Sequence, residues 1–144
     1  MGSNSDMPSP IAATGDMIKG ADLQQSIATL NARSASLNDD IRNAQTVEDA
    51  QQALRMQQDL LSQATSLLTA QINLISGTAL VTADQVNAAI TYTDAKIKTV
   101  TMVSKRLALT AKLLDFVAAV FTGNGTEMFA AAKDLKVALD NTSA

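Results

Sequence analysis

The sequence predicts an all-α protein, an antiparallel bundle or coiled coil of three long helices followed by a short C-terminal one. Three observations lead there. Both prolines lie before Ile11, so the rest of the chain lacks the strongest helix breaker. Apolar residues recur at intervals of three and four, the helical period. The chain is 47% hydrophobic but only 3% aromatic, so its core must come from Leu, Ile, Val, Met and Ala, which suits close-packed helices better than a sheet.

With 144 residues the chain is long enough to bury one core. Residues 1–15 are read as a flexible N-terminal segment. Its opening Met1-Gly2-Ser3-Asn4-Ser5-Asp6 resembles an expression remnant, and Pro8-Ser9-Pro10 follows. Residues 16–144 are read as a single helical domain, with corners expected at Gly77, Gly123 and Gly125.

The first helix is expected to start near Asp16 and to carry Leu23, Ile27, Leu30, Ser34, Leu37, Ile41 and Ala44 as its stripe. A second begins at Thr46, whose hydroxyl can cap it, with Glu48 and Asp49 at its positive end. Its expected face is wide. Val47, Ala50, Leu54, Gln57, Leu61, Ala64, Leu68, Gln71 and Ile75 form one stripe, and Ala53, Leu60, Leu67 and Leu74 form another. On this phase Leu61 is buried and Gln58 projects outward. A bend near Gln45 competes with a continuous helix of nearly 60 residues. The stripe steps by three from Ile41 through Ala44 and Val47 to Ala50, and such a jump would overwind a continuous coiled coil, which favours the bend.

After Ser76-Gly77-Thr78 a capping box, Thr82 with Gln85, opens the third helix. Its line from Val86 through Ile90, Thr93, Ile97, Val100, Ser104, Leu107, Ala111, Leu114 and Ala118 to Phe121 predicts about 40 residues and about 60 Å. Gly123-Asn124-Gly125 ends it. Thr126 is expected to cap the last helix, which carries Met128, Phe129, Ala132, Leu135 and Leu139. No strand is expected, since no sustained alternation of period two stands out.

The chain has neither His nor Cys, which removes the commonest general base, the commonest metal ligand and every thiolate site. The sequence therefore reads as non-enzymatic and free of cofactors. Asp39, Asp40, Glu48 and Asp49 are expected as a solvated acidic corner rather than a cation site, because no Gly-containing calcium loop joins them. Gly123-Asn124-Gly125-Thr126 lacks the Lys-Ser/Thr ending and the preceding strand of a phosphate loop. A net charge of -3 argues against nucleic acid as a partner.

Two surface features remain as candidates. Lys98, Lys105 and Lys112 recur every seven residues along the third helix as a basic line. Met102, Leu109, Leu113, Phe116 and Val120 form a second apolar line almost opposite that helix's core stripe. The last helix is the favoured cover for this line, with a protomer interface or a membrane-contacting surface as the alternatives. Protein contacts, with self-association, are thus the first functional expectation. A lipid-surface protein such as a pore-forming component or a coat protein is the second, without a transmembrane span because no window of ~20 apolar residues is uninterrupted. Faces rich in Gln, Asn, Ser and Thr suggest a bacterial secretion or surface system by compositional association, and export from a bacterium with it.

Overall fold

The computed structural model describes residues 17–76 and 79–142, and the expected N-terminal segment and the start of the first helix at Asp16 lie outside them. The protein is mostly helical, with little sheet. Five α-helices, α1 (Gln24–Arg42), α2 (Val47–Leu68), α3 (Ala83–Ile97), α4 (Val103–Phe121) and α5 (Gly125–Thr142), run through the described residues. Four short strands accompany them: β1 (Met17–Lys19), β2 (Gln71–Asn73), β3 (Ile75–Ser76) and β4 (Ala79–Leu80).

The chain does turn near Gln45. Asn43 closes α1, and the Thr46 side chain accepts from the Asp49 backbone N–H at 3.0 Å to open α2. The α1–α2 hairpin packs against α4 through α2 and against α3 through α1, and α5 lies against α4 and α3. The core is built mainly from Leu, Ile and Val, with Phe116 as its one large buried aromatic.

The expectation of no strand is corrected. After Leu68 the sequence Ala70-Gln71-Ile72-Asn73-Leu74 alternates, and Ala70, Ile72 and Leu74 are buried while Gln71 and Asn73 are exposed. That is the strand period, and it ends α2 at Leu68 instead of carrying the helix on through Gln71 and Ile75. Strands β1 and β2 pair antiparallel with Ile18 opposite Ile72, and β3 pairs with β4. Gly20 follows β1 because the chain passes so close to the end of α2 that a Cβ would lie 2.1 Å from the Leu68 carbonyl oxygen.

The single third helix is also corrected, to two. The capping box of Thr82 and Gln85 forms as expected, but α3 stops at Ile97. Thr99, Val100, Thr101 and Val103 follow, and β-branched side chains crowd the preceding turn of a helix. The Thr99 hydroxyl donates to the Lys96 carbonyl at 2.7 Å, and the Thr99 and Val100 amides bond three residues back. The chain then turns into α4. Gly123 leaves α4 with a φ of 73°, a left-handed conformation that glycine adopts without strain. The cap of α5 is Asn124 rather than Thr126: its Oδ1 accepts from the Thr126 and Glu127 amides at 2.9 and 3.3 Å. The last helix, at 18 residues, is not short.

Candidate functional site

Two neighbouring helices carry the features that set this fold apart: α1 buries a second row beside its expected stripe, and α2 exposes most of one of its two expected stripes. On α1 the buried positions include Leu23, Leu30 and Leu37 as expected, together with Ser26, Arg33 and Asp40, which are 0%, 1% and 2% exposed. These three polar residues lie seven apart and occupy the side of α1 that meets α3 and α4. Each has a partner across the interface. The Ser26 backbone N–H donates to Asn87 Oδ1 at 3.2 Å, and Asn87 Nδ2 donates to the Asp22 carbonyl at 2.9 Å. Arg33 Nε lies 2.9 Å from Asp94 Oδ1, and Asp94 Oδ2 lies 3.2 Å from the exposed Lys98 ammonium.

Because 26 meets 87 and 33 meets 94, α1 and α3 run parallel in a fixed register. The same register would place residue 101 against Asp40, but α3 has ended four residues earlier. Arg106 of α4 supplies the third rung, with Nε 3.1 Å from Asp40 Oδ1 and Nη1 donating to the Val100 carbonyl at 3.1 Å. One guanidinium thus ties α1 to the α3–α4 bend.

The electrostatics of this ladder are dominated by burial. Burial lowers the Arg33 guanidinium from its ordinary pKa, against the opposing pull of Asp94. Burial raises the Asp40 carboxyl above its ordinary value, while Arg106 and Arg33 pull it down and Asp39 adds to the rise. Arg33 Nη1 and Asp40 Oδ2 have no hydrogen-bond partner among the described residues.

Asp40 and Arg106 line a cleft of about 520 Å³ with Asp39, Asn43, Asp49 and Ser104, between the α1–α2 turn and the start of α4. The expected solvated acidic corner is corrected at Asp40, whereas Asp39 and Glu48 are exposed as expected. Asp40 is buried against Arg106, and Asp39 pairs with Arg42. Among the described residues, no group of three or more carboxylates is placed to hold a metal ion. The cleft offers carboxylates and a serine hydroxyl, with no imidazole in the chain to move a proton between them.

On α2 one of the two expected stripes, through Ala53, Leu60 and Leu67, is buried, and the other lies largely outside. Ala53, Met56, Leu60, Ala64 and Leu67 are buried. Val47, Leu54, Leu61 and Leu68 are 69%, 47%, 47% and 54% exposed, so four apolar side chains seven residues apart run along the outside of the helix. Leu61, expected in the core, is on this line. The phase is set from both sides: Gln57 Nε2 donates to the Ser34 carbonyl at 2.7 Å and Gln63 Nε2 donates to the Leu114 carbonyl at 3.0 Å. Those bonds turn the arc between Gln57 and Gln63 toward α1 and α4 and leave the leucine line outside.

The candidate interface line on the third helix is enclosed within the chain at all but Met102, and the last helix, the cover favoured from the sequence, packs on α4. Leu109, Leu113, Phe116 and Val120 are at most 1% exposed and form the core-facing side of α4, which packs on α5 and α2. Met102 is 54% exposed and precedes the helix. Of the stripe expected in the core, Leu107 is buried while Phe121 is 36% exposed. The candidate basic line is divided by the bend: Lys98 caps α3 and pairs with Asp94, whereas Lys105 and Lys112 are exposed on α4. Among the described residues no helix is long and apolar enough to cross a membrane.

The sequence reading missed the ladder because charged residues are rarely fully buried: Asp40 falls in the expected solvated corner and Arg33 in no expected stripe. A signal was available. Positions 23, 26, 30, 33, 37 and 40 alternate three and four as regularly as the stripe that was followed. Comparison with protein-family models, with curated proteins and with solved structures finds no match for this chain.

Proposed function

We propose that this chain is a non-catalytic helical protein that acts through protein contacts and associates with itself. The observation that carries the reading is the outward line Val47, Leu54, Leu61 and Leu68, each roughly half exposed or more on one side of α2. Scattered single apolar residues on a surface need no explanation, but a valine and three leucines in heptad register form the kind of seam by which helices pair. The amide- and hydroxyl-rich surface is the compositional basis for placing this activity in a bacterial secretion or surface system.

The lipid-surface alternative rested on a two-faced third helix and a basic line. The first is folded into the chain's own core and the second is split between α3 and α4. The helix that exposes apolar residues in heptad register, α2, carries Glu48, Asp49 and Asp59 against Arg55 alone, an acidic excess unfavourable to anionic lipid.

Sedimentation velocity over a wide concentration range tests the reading. The wild-type chain is expected to form a reversible oligomer, and Leu54→Ser with Leu61→Ser is expected to leave a folded monomer. A wild-type chain that stays monomeric throughout would overturn self-association. Binding to anionic vesicles that the same double variant abolishes would move the line to the lipid reading.

A further inference from the structure

We infer that the partner seated on α2 is the α2 of a second copy, running antiparallel across a two-fold axis that passes between Leu54 and Leu61. The inference rests on the contact-face reading above and adds the identity and geometry of the occupant. Two features of the line favour it, and a third sets its strength.

The first is its symmetry. Reversing the helix about the midpoint of Leu54 and Leu61 places Leu54 on Leu61 and Val47 on Leu68, so every apolar residue of the line meets another. A closed two-fold contact needs such a self-complementary patch. The heptad line drifts by about 20° per seven residues on a straight helix, and two such lines match when the helices cross at about 20°, the ordinary angle of paired helices.

The second is charge. In an antiparallel pair about this axis the positions four residues beyond Val47, Leu54 and Leu61 share one flank, where 58 faces its own equivalent and 51 faces 65, so like charges there would repel. Gln51, Gln58 and Thr65 occupy those positions, and none is charged. Gln58 falls beside the axis, where two side-chain amides can each donate to and accept from the other.

The third is extent. The 22 residues of α2 span about 33 Å, and a strip about 10 Å wide gives a few hundred Å² per copy. That is below the ~800 Å² per partner of a standard stable interface. The pair is therefore weak and reversible, forming at micromolar concentrations or above.

The chain has no cysteine, so introduced thiols report the geometry without background. Leu54→Cys and Leu61→Cys are made separately and oxidised mildly, alone and as an equimolar mixture, with circular dichroism confirming that both remain folded. In the antiparallel pair Leu54 faces Leu61 of the other copy. Leu54 lies about 10.5 Å along the axis from the level of its own equivalent, beyond the ~7 Å Cα separation that a disulfide spans. The mixture is expected to yield at least ~10-fold more disulfide dimer than either variant alone.

Efficient linkage of each variant with itself, unimproved by mixing, would overturn the antiparallel pair in favour of a parallel one while the contact-face reading stands. A wild-type chain that is monomeric by sedimentation, with no linkage in any sample, would overturn the inference and the self-association beneath it together.

Discussion

Helices α1 and α2 are neighbours of similar length with opposite habits. α1 buries an arginine and an aspartate, and α2 exposes a valine and three leucines. The difference lies in how many neighbours each must satisfy. α1 is packed against α2 and α3 and tied to α4 by the Asp40–Arg106 pair, so a second row of its residues is enclosed, and the row that falls there is Ser26, Arg33 and Asp40. α2 meets α1 and α4, and the remaining arc is left to solvent although Leu54 and Leu61 occupy it. Polarity alone does not assign a face when two rows on a helix have the same period. Partner geometry does, and in this fold it outweighs the preference of individual side chains.

The sharpest test of that comparison sets adjacent leucines against each other. Leu60→Asp places a carboxylate at a position that is 0% exposed, where desolvation costs several kcal/mol against a domain stability of ~5 to 15 kcal/mol, and the chain is expected to unfold. Leu61→Asp, one residue on, is expected to melt near the wild-type temperature and to lose self-association. Thermal denaturation and sedimentation of the two variants read both outcomes, and equal melting temperatures would show that α2 is not phased as described.

Next in size is the ladder. Asp94→Ala leaves Arg33 buried without its counter-charge, and breaking one side of such a pair costs about 3 to 5 kcal/mol. Replacing both partners, Arg33→Met with Asp94→Leu, is expected to recover most of that loss, since well-packed apolar groups often replace a buried ion pair at little cost. Urea denaturation of the single and double variants decides it. A double variant no more stable than the single one would mean that the pair contributes something packing cannot replace.

The smallest effect is a slope against pH. The folded-state pKa of Asp40 is raised by burial, so between the ordinary carboxylate value and the raised one the folded chain holds a proton that the unfolded chain has released. Stability from this group therefore falls as pH rises through that window and is regained as pH drops toward the ordinary value. Asp40→Asn removes the titration. The wild type is expected to gain stability relative to the variant as pH falls through the window, seen as converging or crossing urea midpoints. A difference independent of pH would contradict a raised pKa.

Much of the fold was legible in the sequence: the helical class, the turn at Thr46, the capping box at Thr82 and the exit at Gly123 all follow from local chemistry. The misreadings share a cause, which is loyalty to a heptad after the local signal had changed. The line through Ile97, Val100 and Ser104 is regular on paper, but Thr99, Val100, Thr101 and Val103 cannot all sit comfortably in one helix. The line through Leu68, Gln71 and Ile75 is equally regular, yet Ala70 to Leu74 alternates with the strand period. The candidate apolar line on α4 lies inward and one of the two stripes expected in the core on α2 lies outward, because two apolar rows on one helix cannot be ranked until the neighbours are placed. Arg33 and Asp40 were legible only as spacing, never as chemistry.

The parallel ladder also has a kinetic side. Ser34 and Gln57 are 23 residues apart and meet across one short turn, whereas Ser26 with Asn87 is separated by 61 residues and needs α2, both short hairpin strands and α3 in place. Contacts of larger sequence separation carry a larger loop-closure entropy and tend to form later. The α1–α2 hairpin is thus the natural early unit, with Arg33 exposed to water on its open side until α3 arrives. The costly desolvation of that arginine then falls late in folding, when Asp94 comes within reach to offset it.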